Sequence, residues 1–260
     1  MRLKQSYLLI GVRSLFILLL FVGMSGLSLV WRLFRLSPLP CMPRFIHRSF
    51  LLIMGIDVTM EGTIHRGHTL FVSNHCAWLD IAVLGAQLFH ASFVSKGEVQ
   101  RWPLVGLLCW WQETIFIDRR ALSRTREQRS MLADKMQAGR SIILFPEGTT
   151  SDGNRVLPFK SSLFDVAYQD GAANMMVQPI SIAYYGIDGN PMGRVWRPFY
   201  AWYSDMAFMP HLMTMLGLGR CNIRVIFHEP VRPDAFPSRK QLATYCQGVC
   251  DVGLRTSLYG

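Results

Sequence analysis

A histidine and an aspartate five positions apart, His75 and Asp80 in the stretch Ser73–Asp80 (SNHCAWLD), carry the most chemical information in this sequence. Neutral imidazole is well suited to accept a proton near pH 7, and a neighbouring carboxylate fixes its tautomer and stabilises the imidazolium that forms. On a regular helix five residues turn the chain by roughly 500°, which would leave the two side chains about 140° apart. They meet only if His75 lies at or before a helix start and Asp80 lies in the first turns. Ser73 or Asn74 is a candidate N-cap, and Trp78, Leu79, Ala82 and Val83 give the helix an apolar face. The apolar run Thr69–Val72 reads as a strand, so the order is strand, turn with His75, helix with Asp80. A lone histidine on an apolar face is more often structural, so the weight rests on its company.

Three further stretches keep that company: VSKGEVQRWPLVG at Val94–Gly106, IFIDR at Ile115–Arg119 and LFPEGTTSDG at Leu144–Gly153. Arg119 offers a permanently charged fork for a phosphate or carboxylate. Gly148 permits close backbone approach to a ligand. A tetrahedral oxyanion needs donors; backbone amides around Gly97, between Val94 and Glu98, and the amide of Gly148 are candidates, and the residues alone leave that choice open. Glu147 either orders the site, holds an acceptor hydroxyl, or is satisfied by local amides. No GxSxG elbow is present, and Cys76 reads as a packed thiol, so the residues offer His75 a proton to accept from a substrate group rather than from a serine or cysteine nucleophile of the chain. With no HExxH and no Cys/His cluster, neither a metal nor a cofactor is expected.

The elements that must position these residues follow an α/β pattern from about Gly62. Strands are expected at Thr69–Val72, Ser92–Val94, Thr114–Ile117, Ser141–Phe145, Val177–Ala183 and Arg224–Phe227, and helices at Ala77–Phe89, Ser123–Gln137, Ser161–Tyr168 and Arg239–Leu254. That alternation implies a mixed sheet flanked by helices. Ahead of it, Ser14–Trp31 runs without a charge between basic flanks, which suits a membrane helix or a helix pair dipping into one leaflet. A signal peptide is the competing reading. The organisation is therefore an anchor over 1–58 and a catalytic domain over 59–260. Trp102–Trp111 and the methionine-rich Met206–Leu218 are either core or a seat for the bilayer or an acyl chain. In 260 residues, 50% are hydrophobic and only 17% charged, with a net charge of +10. A basic, apolar chain points to an anionic membrane surface; dispersed basic residues argue against nucleic acid. The six cysteines have no CxxC spacing and read as reduced thiols facing the cytosol.

Taken together, the blocks Asn74–Asp80 (NHxxxxD, a His-x4-Asp motif), Lys96–Gly106 (KxExxxxP with a trailing glycine), Phe116–Arg119, Phe145–Thr149 (FPEGT) and the strand bearing Pro179 resemble the glycerolipid (lysophosphatidate-type) acyltransferase family, in the same order and over roughly residues 60–185. The resemblance implies that family's α/β fold and O-acyl transfer in membrane lipid biosynthesis, from acyl carrier protein or coenzyme A thioester to a lysolipid hydroxyl. It implies His75 and Asp80 as catalytic residues, and Lys96, Gly97, Glu98, Arg119, Glu147, Gly148, Thr149 and Thr150 as the substrate-binding set. It places the enzyme at the inner (cytoplasmic) membrane with its catalytic domain facing the cytoplasm. One position departs: phosphatidate-forming members commonly carry arginine after EGT, where this chain has Thr150, with Arg155 and Lys160 the nearby cations. The longer run FPEGTTSDGNRVLPFKSSLF, with Ala201–Met206 and Pro210–Leu212, is similar to members that acylate lyso-ornithine lipid. The acceptor is thus lysophosphatidate, lyso-ornithine lipid, or both. A non-enzymatic lipid-binding protein and a thioesterase on the same fold are the alternatives.

Overall fold

The structure, a computed structural model, describes residues 5–35, 41–88, 91–96, 114–117, 140–169, 172 and 174–260. Among these, eight strands make one mixed sheet: β1 (Ile56–Gly62), β2 (Thr69–Ser73), β3 (Ala91–Lys96), β4 (Ile115–Ile117), β5 (Ser141–Leu144), β6 (Met176–Ile187), β7 (Asn190–Pro191) and β8 (Cys221–Phe227). The order across the sheet is β1-β8-β6-β2-β5-β3-β4, with β7 on β6. β6, β2, β5, β3 and β4 run parallel, whereas β8 is antiparallel to β6 and parallel to β1.

The burial of each strand follows from its place. β2 (TLFVS) is buried at every position, as a central parallel strand covered on both faces must be. Its side chains alternate between two layers. Phe71, with Ile143, Ile180 and Ile182, packs against one set of helices; Leu70 and Val72, with Ile142, Leu144 and Val177, pack on the other face. β8 (CNIRVIF) alternates buried and half-buried, and the edge strand β1 is mostly exposed.

The first layer holds α1 (Tyr7–Leu33), α2 (Met42–Met54), α3 (Leu79–Gly85) and α4 (Phe208–Gly217); the second holds the 3-10 turn Ser161–Tyr168 and α5 (Arg239–Tyr259). Tyr7–Trp31 of α1 is long and apolar enough to cross a membrane, with a mean hydropathy of 2.3. It is also fastened to the domain. The Ser6 N–H donates to the Gly217 carbonyl at 3.0 Å, and the buried Arg13 donates to the carbonyls of Leu216 at 3.0 Å and Leu218 at 2.6 Å. Those carbonyls end α4 and lack helical partners, so a cation there satisfies them and complements the helix dipole. α2 packs Met42 and Ile46 against Leu20, Met24 and Trp31 of α1. Pro43 sits in its first turn, where no N–H is needed, and Gly55 closes it in the left-handed conformation (φ 69°).

Several elements differ from expectation. The helix expected over Ala77–Phe89 is confined to Leu79–Gly85, because the amides of Cys76 and Ala77 turn onto the Asp80 carboxylate instead of entering the helix. The second layer's Ser161–Tyr168 is a 3-10 turn, α5 continues to Tyr259, and β1 adds a strand not anticipated. Much of Met206–Leu218 forms α4, with Pro210 tolerated in its first turn. The helix expected over Ser123–Gln137, the stretch Trp102–Trp111 and Cys109 lie outside the described residues. The five other cysteines are free thiols.

Candidate active site

The site forms where β2 and β5 end, beside the middle of β6. Ser73 closes β2, and neither it nor Asn74 caps α3. The Asn74 side chain instead brackets β6, accepting from the Ile182 N–H at 2.8 Å and donating to the Ile182 carbonyl at 2.9 Å. That two-point bond fixes the strand exit from which His75 projects. The next two carbonyls are held as well: Ser151 N–H donates to His75 O at 2.9 Å and Trp202 N–H to Cys76 O at 2.8 Å.

Asp80 lies in the first turn of α3, wholly buried. His75 Nδ1 is 2.7 Å from its Oδ2. The same oxygen accepts the N–H of Cys76 at 2.8 Å and of Ala77 at 3.0 Å, and Oδ1 accepts the Tyr184 hydroxyl at 2.7 Å. A carboxylate with that many donors stays where it is, and it acts on His75 by accepting the Nδ1 proton. The ring then presents Nε2 with a free lone pair, the tautomer a base requires. His75 stacks on Phe145 (3.9 Å between centroids, 15° between planes), and its side chain keeps 16% of its surface exposed, enough for a substrate to reach it. The five-residue spacing is met as its geometry demands: His75 lies before the helix and Asp80 inside it.

Glu147 follows β5 in the loop Phe145–Thr149. Its two oxygens accept His75 N–H at 2.8 Å and Leu157 N–H at 3.1 Å, so it ties the histidine turn to the loop that runs on to Lys160. Burial pushes its carboxyl up to about 8, against the pull of those amides. Gly148 adopts φ +73°, and its own N–H closes onto the Phe145 carbonyl at 3.1 Å, so the oxyanion donor read at that amide is engaged in the turn. A Cβ on Gly148 would lie 2.6 Å from Lys160 Nζ: the ammonium rests directly over the glycine, and any side chain there would displace it. Thr149 is exposed and Thr150 half-buried beside it.

Burial pushes the Cys76 thiol well up, which suits a packed thiol and not a nucleophile. The structure thus brings His75, Asp80, Glu147, Gly148, Thr149 and Thr150 to one sheet end. Lys96 ends β3, but its side chain lies outside the described residues, as do Gly97, Glu98 and Arg119. Sequence reasoning passed over Tyr184, Leu157 and Phe145 as site residues, and Arg197 beneath them. The signal for Tyr184 is its period of two with Ile180 and Ile182, which puts a polar tip on an apolar face; for Arg197 it is a lone charge inside VWRPFY.

Comparison with known proteins bears on the same residues. The Acyltransferase family model matches residues 55–183. The chain is 41% identical over 224 residues to the lyso-ornithine lipid O-acyltransferase of Brucella abortus (strain 2308), covering 84% of this chain and 84% of that protein. It is 31% identical over 176 residues to the 1-acyl-sn-glycerol-3-phosphate acyltransferase of Neisseria meningitidis serogroup B, covering 68% of this chain and 65% of that one. The crystal structure of the 1-acyl-sn-glycerophosphate (LPA) acyltransferase PlsC from Thermotoga maritima shares the fold at a TM-score of 0.66 and 21% identity, covering 95% of this chain and 97% of that one. With the ordered motifs and the His75–Asp80 geometry, these similarities establish that the chain belongs to the acyltransferase family.

Proposed function

We propose that this protein acylates a lysolipid at a membrane, taking a fatty acyl group from acyl carrier protein or coenzyme A thioester, with lyso-ornithine lipid as the acceptor and its product ornithine lipid. The observation that carries the reading is the His75–Asp80 pair, 2.7 Å apart, with the carboxylate fully buried and the imidazole reachable. The acceptor hydroxyl lies where a nucleophilic serine would stand in a Ser-His-Asp triad. Its oxygen attacks the thioester carbonyl carbon while His75 Nε2 takes its proton. The carbonyl becomes a tetrahedral oxyanion. The C–S bond then breaks, and the leaving thiolate takes the proton back from the imidazolium, so donor thiol and acylated lipid leave together. No covalent enzyme intermediate is required, and no cofactor or metal enters the scheme.

Two features favour lyso-ornithine lipid over lysophosphatidate. The position after Glu147-Gly148-Thr149 carries Thr150 and not a cation, so a doubly charged phosphate loses its strongest partner there. The ammonium beside that loop, Lys160 over Gly148, suits a singly charged carboxylate such as that of an ornithine head group. The greater identity to the Brucella enzyme than to the Neisseria one supports the same choice. Membrane contact is supported by α1 and by the exposed Leu15, Phe16, Leu18 and Leu19 on α1 and Phe45 and Leu52 on α2. A cytoplasmic face of the inner membrane is supported by where acyl thioesters are found and by the free thiols among the described residues.

An acceptor panel tests the proposal. The purified protein receives labelled acyl carrier protein thioester or acyl coenzyme A, with lyso-ornithine lipid or 1-acylglycerol 3-phosphate in mixed micelles. Acylated lyso-ornithine lipid is the expected product, and His75→Ala abolishes it without changing the melting temperature. Faster acylation of 1-acylglycerol 3-phosphate overturns the acceptor assignment. Thioester consumption that ignores the acceptor supports a hydrolase, and full activity of His75→Ala removes the mechanism.

A further inference from the structure

The Asp80 carboxylate spends one oxygen on His75 and two backbone amides; the other, Oδ1, is held by the Tyr184 hydroxyl at 2.7 Å, with the Cys76 thiol at 3.8 Å. Tyr184 is 1% exposed and packs in the layer that holds α3. Burial beside Asp80 pushes its hydroxyl well above the usual tyrosine range, so it stays protonated and donates. A buried phenol must find an acceptor, and this one finds it in the carboxylate paired with His75.

Beneath Tyr184 lies a second buried polar group. Arg197, 1% exposed, donates Nε to the Tyr184 carbonyl at 3.0 Å, Nη2 to the Met192 carbonyl at 2.8 Å and Nη1 to the Asn154 side-chain oxygen. A Cβ on Gly153 (φ +76°) would lie 3.1 Å from Arg197 Cγ and 3.6 Å from Cys76 Cβ. The guanidinium stem therefore packs under the loop after Thr150 and against the turn that carries His75. It staples three segments together: β6 at Tyr184, the Asp152–Asn154 loop and the chain at Met192.

We propose that Tyr184 is the third member of the His75–Asp80 pair, a positioning residue whose hydroxyl sets the orientation and the charge of the Asp80 carboxylate, with Arg197 fixing the strand that delivers it. The inference rests on the reading of His75 as the base. Donation to Oδ1 has two consequences. It stops the carboxylate from rotating about its Cβ–Cγ bond, which keeps Oδ2 on Nδ1. It also draws negative charge away from the oxygen facing His75, which makes the imidazole a weaker base than a bare His–Asp pair would be. The titratable and charged groups around the pair are Cys76 on the same turn, Glu147 after β5, Cys221 on β8 and Arg197 below; of these only the Cys76 thiol reaches Oδ1, as a weak donor at 3.8 Å, far longer than the 2.7 Å of the Tyr184 hydroxyl.

The test is Tyr184→Phe in the full-length, detergent-solubilised or vesicle-bound protein, assayed for acyl transfer from pH 5 to 9. The expected result is a roughly 10–100-fold fall in kcat, with KM for donor and acceptor within about two-fold, as befits loss of a hydrogen bond to a charged group that touches neither substrate. The acid limb of the pH–rate profile moves to higher pH by about half a unit to one unit, because the carboxylate then faces His75 with more of its charge. Tyr200→Phe is the control. It removes another buried tyrosine hydroxyl, one bonded to Gly219 O at 3.4 Å and not to Asp80, and leaves the acid limb in place. If Tyr184→Phe does not fold, 3,5-difluorotyrosine at position 184 is a stronger donor on the same frame and moves the acid limb the opposite way. An acid limb that neither Tyr184→Phe nor the fluorinated residue moves, or a fall in rate that tracks melting temperature alone, overturns the proposal. His75→Ala separates the two readings: an inactive His75→Ala beside a normal Tyr184→Phe sinks only the role of Tyr184, and an active His75→Ala sinks the base itself.

Discussion

Glu147→Gln keeps the shape of a buried side chain and removes its charge. Glu147 is 2% exposed and joins the His75 turn to Leu157 through amides at 2.8 and 3.1 Å. Burial is the larger influence and holds its proton on to about pH 8, against 4.5 in the unfolded chain. Between those values the unfolded chain binds fewer protons than the native one. The stability the group contributes is therefore fully present below pH 4.5 and is lost as pH rises, by ~1.4 kcal/mol per unit, levelling off above pH 8. Between pH 6 and 9 the loss comes to ~3 kcal/mol. Glutamine has no such dependence. Its amide keeps one acceptor but points an NH2 at the other N–H, a cost of ~1–3 kcal/mol. The wild type is thus the more stable protein at pH 6, and the margin closes or reverses by pH 9. Thermal unfolding of both proteins in one detergent, from pH 5.5 to 9.5, gives the difference in Tm with every shared titration cancelled. A change of ~3 kcal/mol corresponds to roughly 6–12 °C for a chain of this size. A difference in Tm that stays flat across the range refutes the reasoning, since Glu147 would then be ionised throughout.

Asn74→Ala removes the bracket to both polar atoms of Ile182, 1% exposed, and costs about 2–4 kcal/mol by leaving two buried main-chain groups unpaired; chemical denaturation reads this directly. Arg13→Met frees the carbonyls of Leu216 and Leu218 and lowers stability by about 2–3 kcal/mol, which a thermal melt with and without lipid vesicles detects; an unchanged melt shows that the α1–α4 contact carries no weight. Lys160→Ala raises the acceptor KM by roughly ten-fold while the donor KM stays within two-fold, as expected of an exposed cation over Gly148 that meets the acceptor's anionic group; a shift in donor KM instead assigns the ammonium to the thioester's phosphates.

How much of this was legible beforehand depends on range. The strands Thr69–Val72 and Ser141–Phe145 could be read because a buried parallel strand is a short apolar run, and each lies within a residue of its observed bounds. The placement of His75 outside the helix and Asp80 inside it followed from helical geometry alone. What could not be read were the bonds that close over long separations. Asn74 looked like a helix cap because asparagine commonly caps; its partner, Ile182, is 108 positions away. The start of α3 was misplaced for a related reason, because the Asp80 side chain competes with the helix for the amides of Cys76 and Ala77. Tyr184 and Arg197 carry no local signature beyond polarity in an apolar run, and their roles exist only once β6 lies beside β2.

The anchor and the site are also joined by contacts that composition does not reveal. A boundary near residue 58 separates an apolar N-terminus from an α/β pattern, but packing runs across it: Leu51, Met54 and Ile56 share one core with Phe71, Leu79 and Ile180. α3, the helix that carries Asp80, is held on both flanks by elements that touch the anchor. From α2, Arg44 donates to the Ala86 carbonyl at 3.2 Å, at the end of α3, and Phe50 meets Trp78 edge-on at 5.9 Å. From α4, His211 accepts the Trp78 indole N–H at 3.2 Å, and α4 in turn is capped by Arg13 of α1. Trp78 is the residue just before α3, so the indole fixes where that helix begins and hence where Asp80 sits. On the proposed reading of His75 as the base, this bracing from α2 and α4 holds its orienting carboxylate in place. The same bracing makes the two N-terminal helices part of the scaffold that positions Asp80.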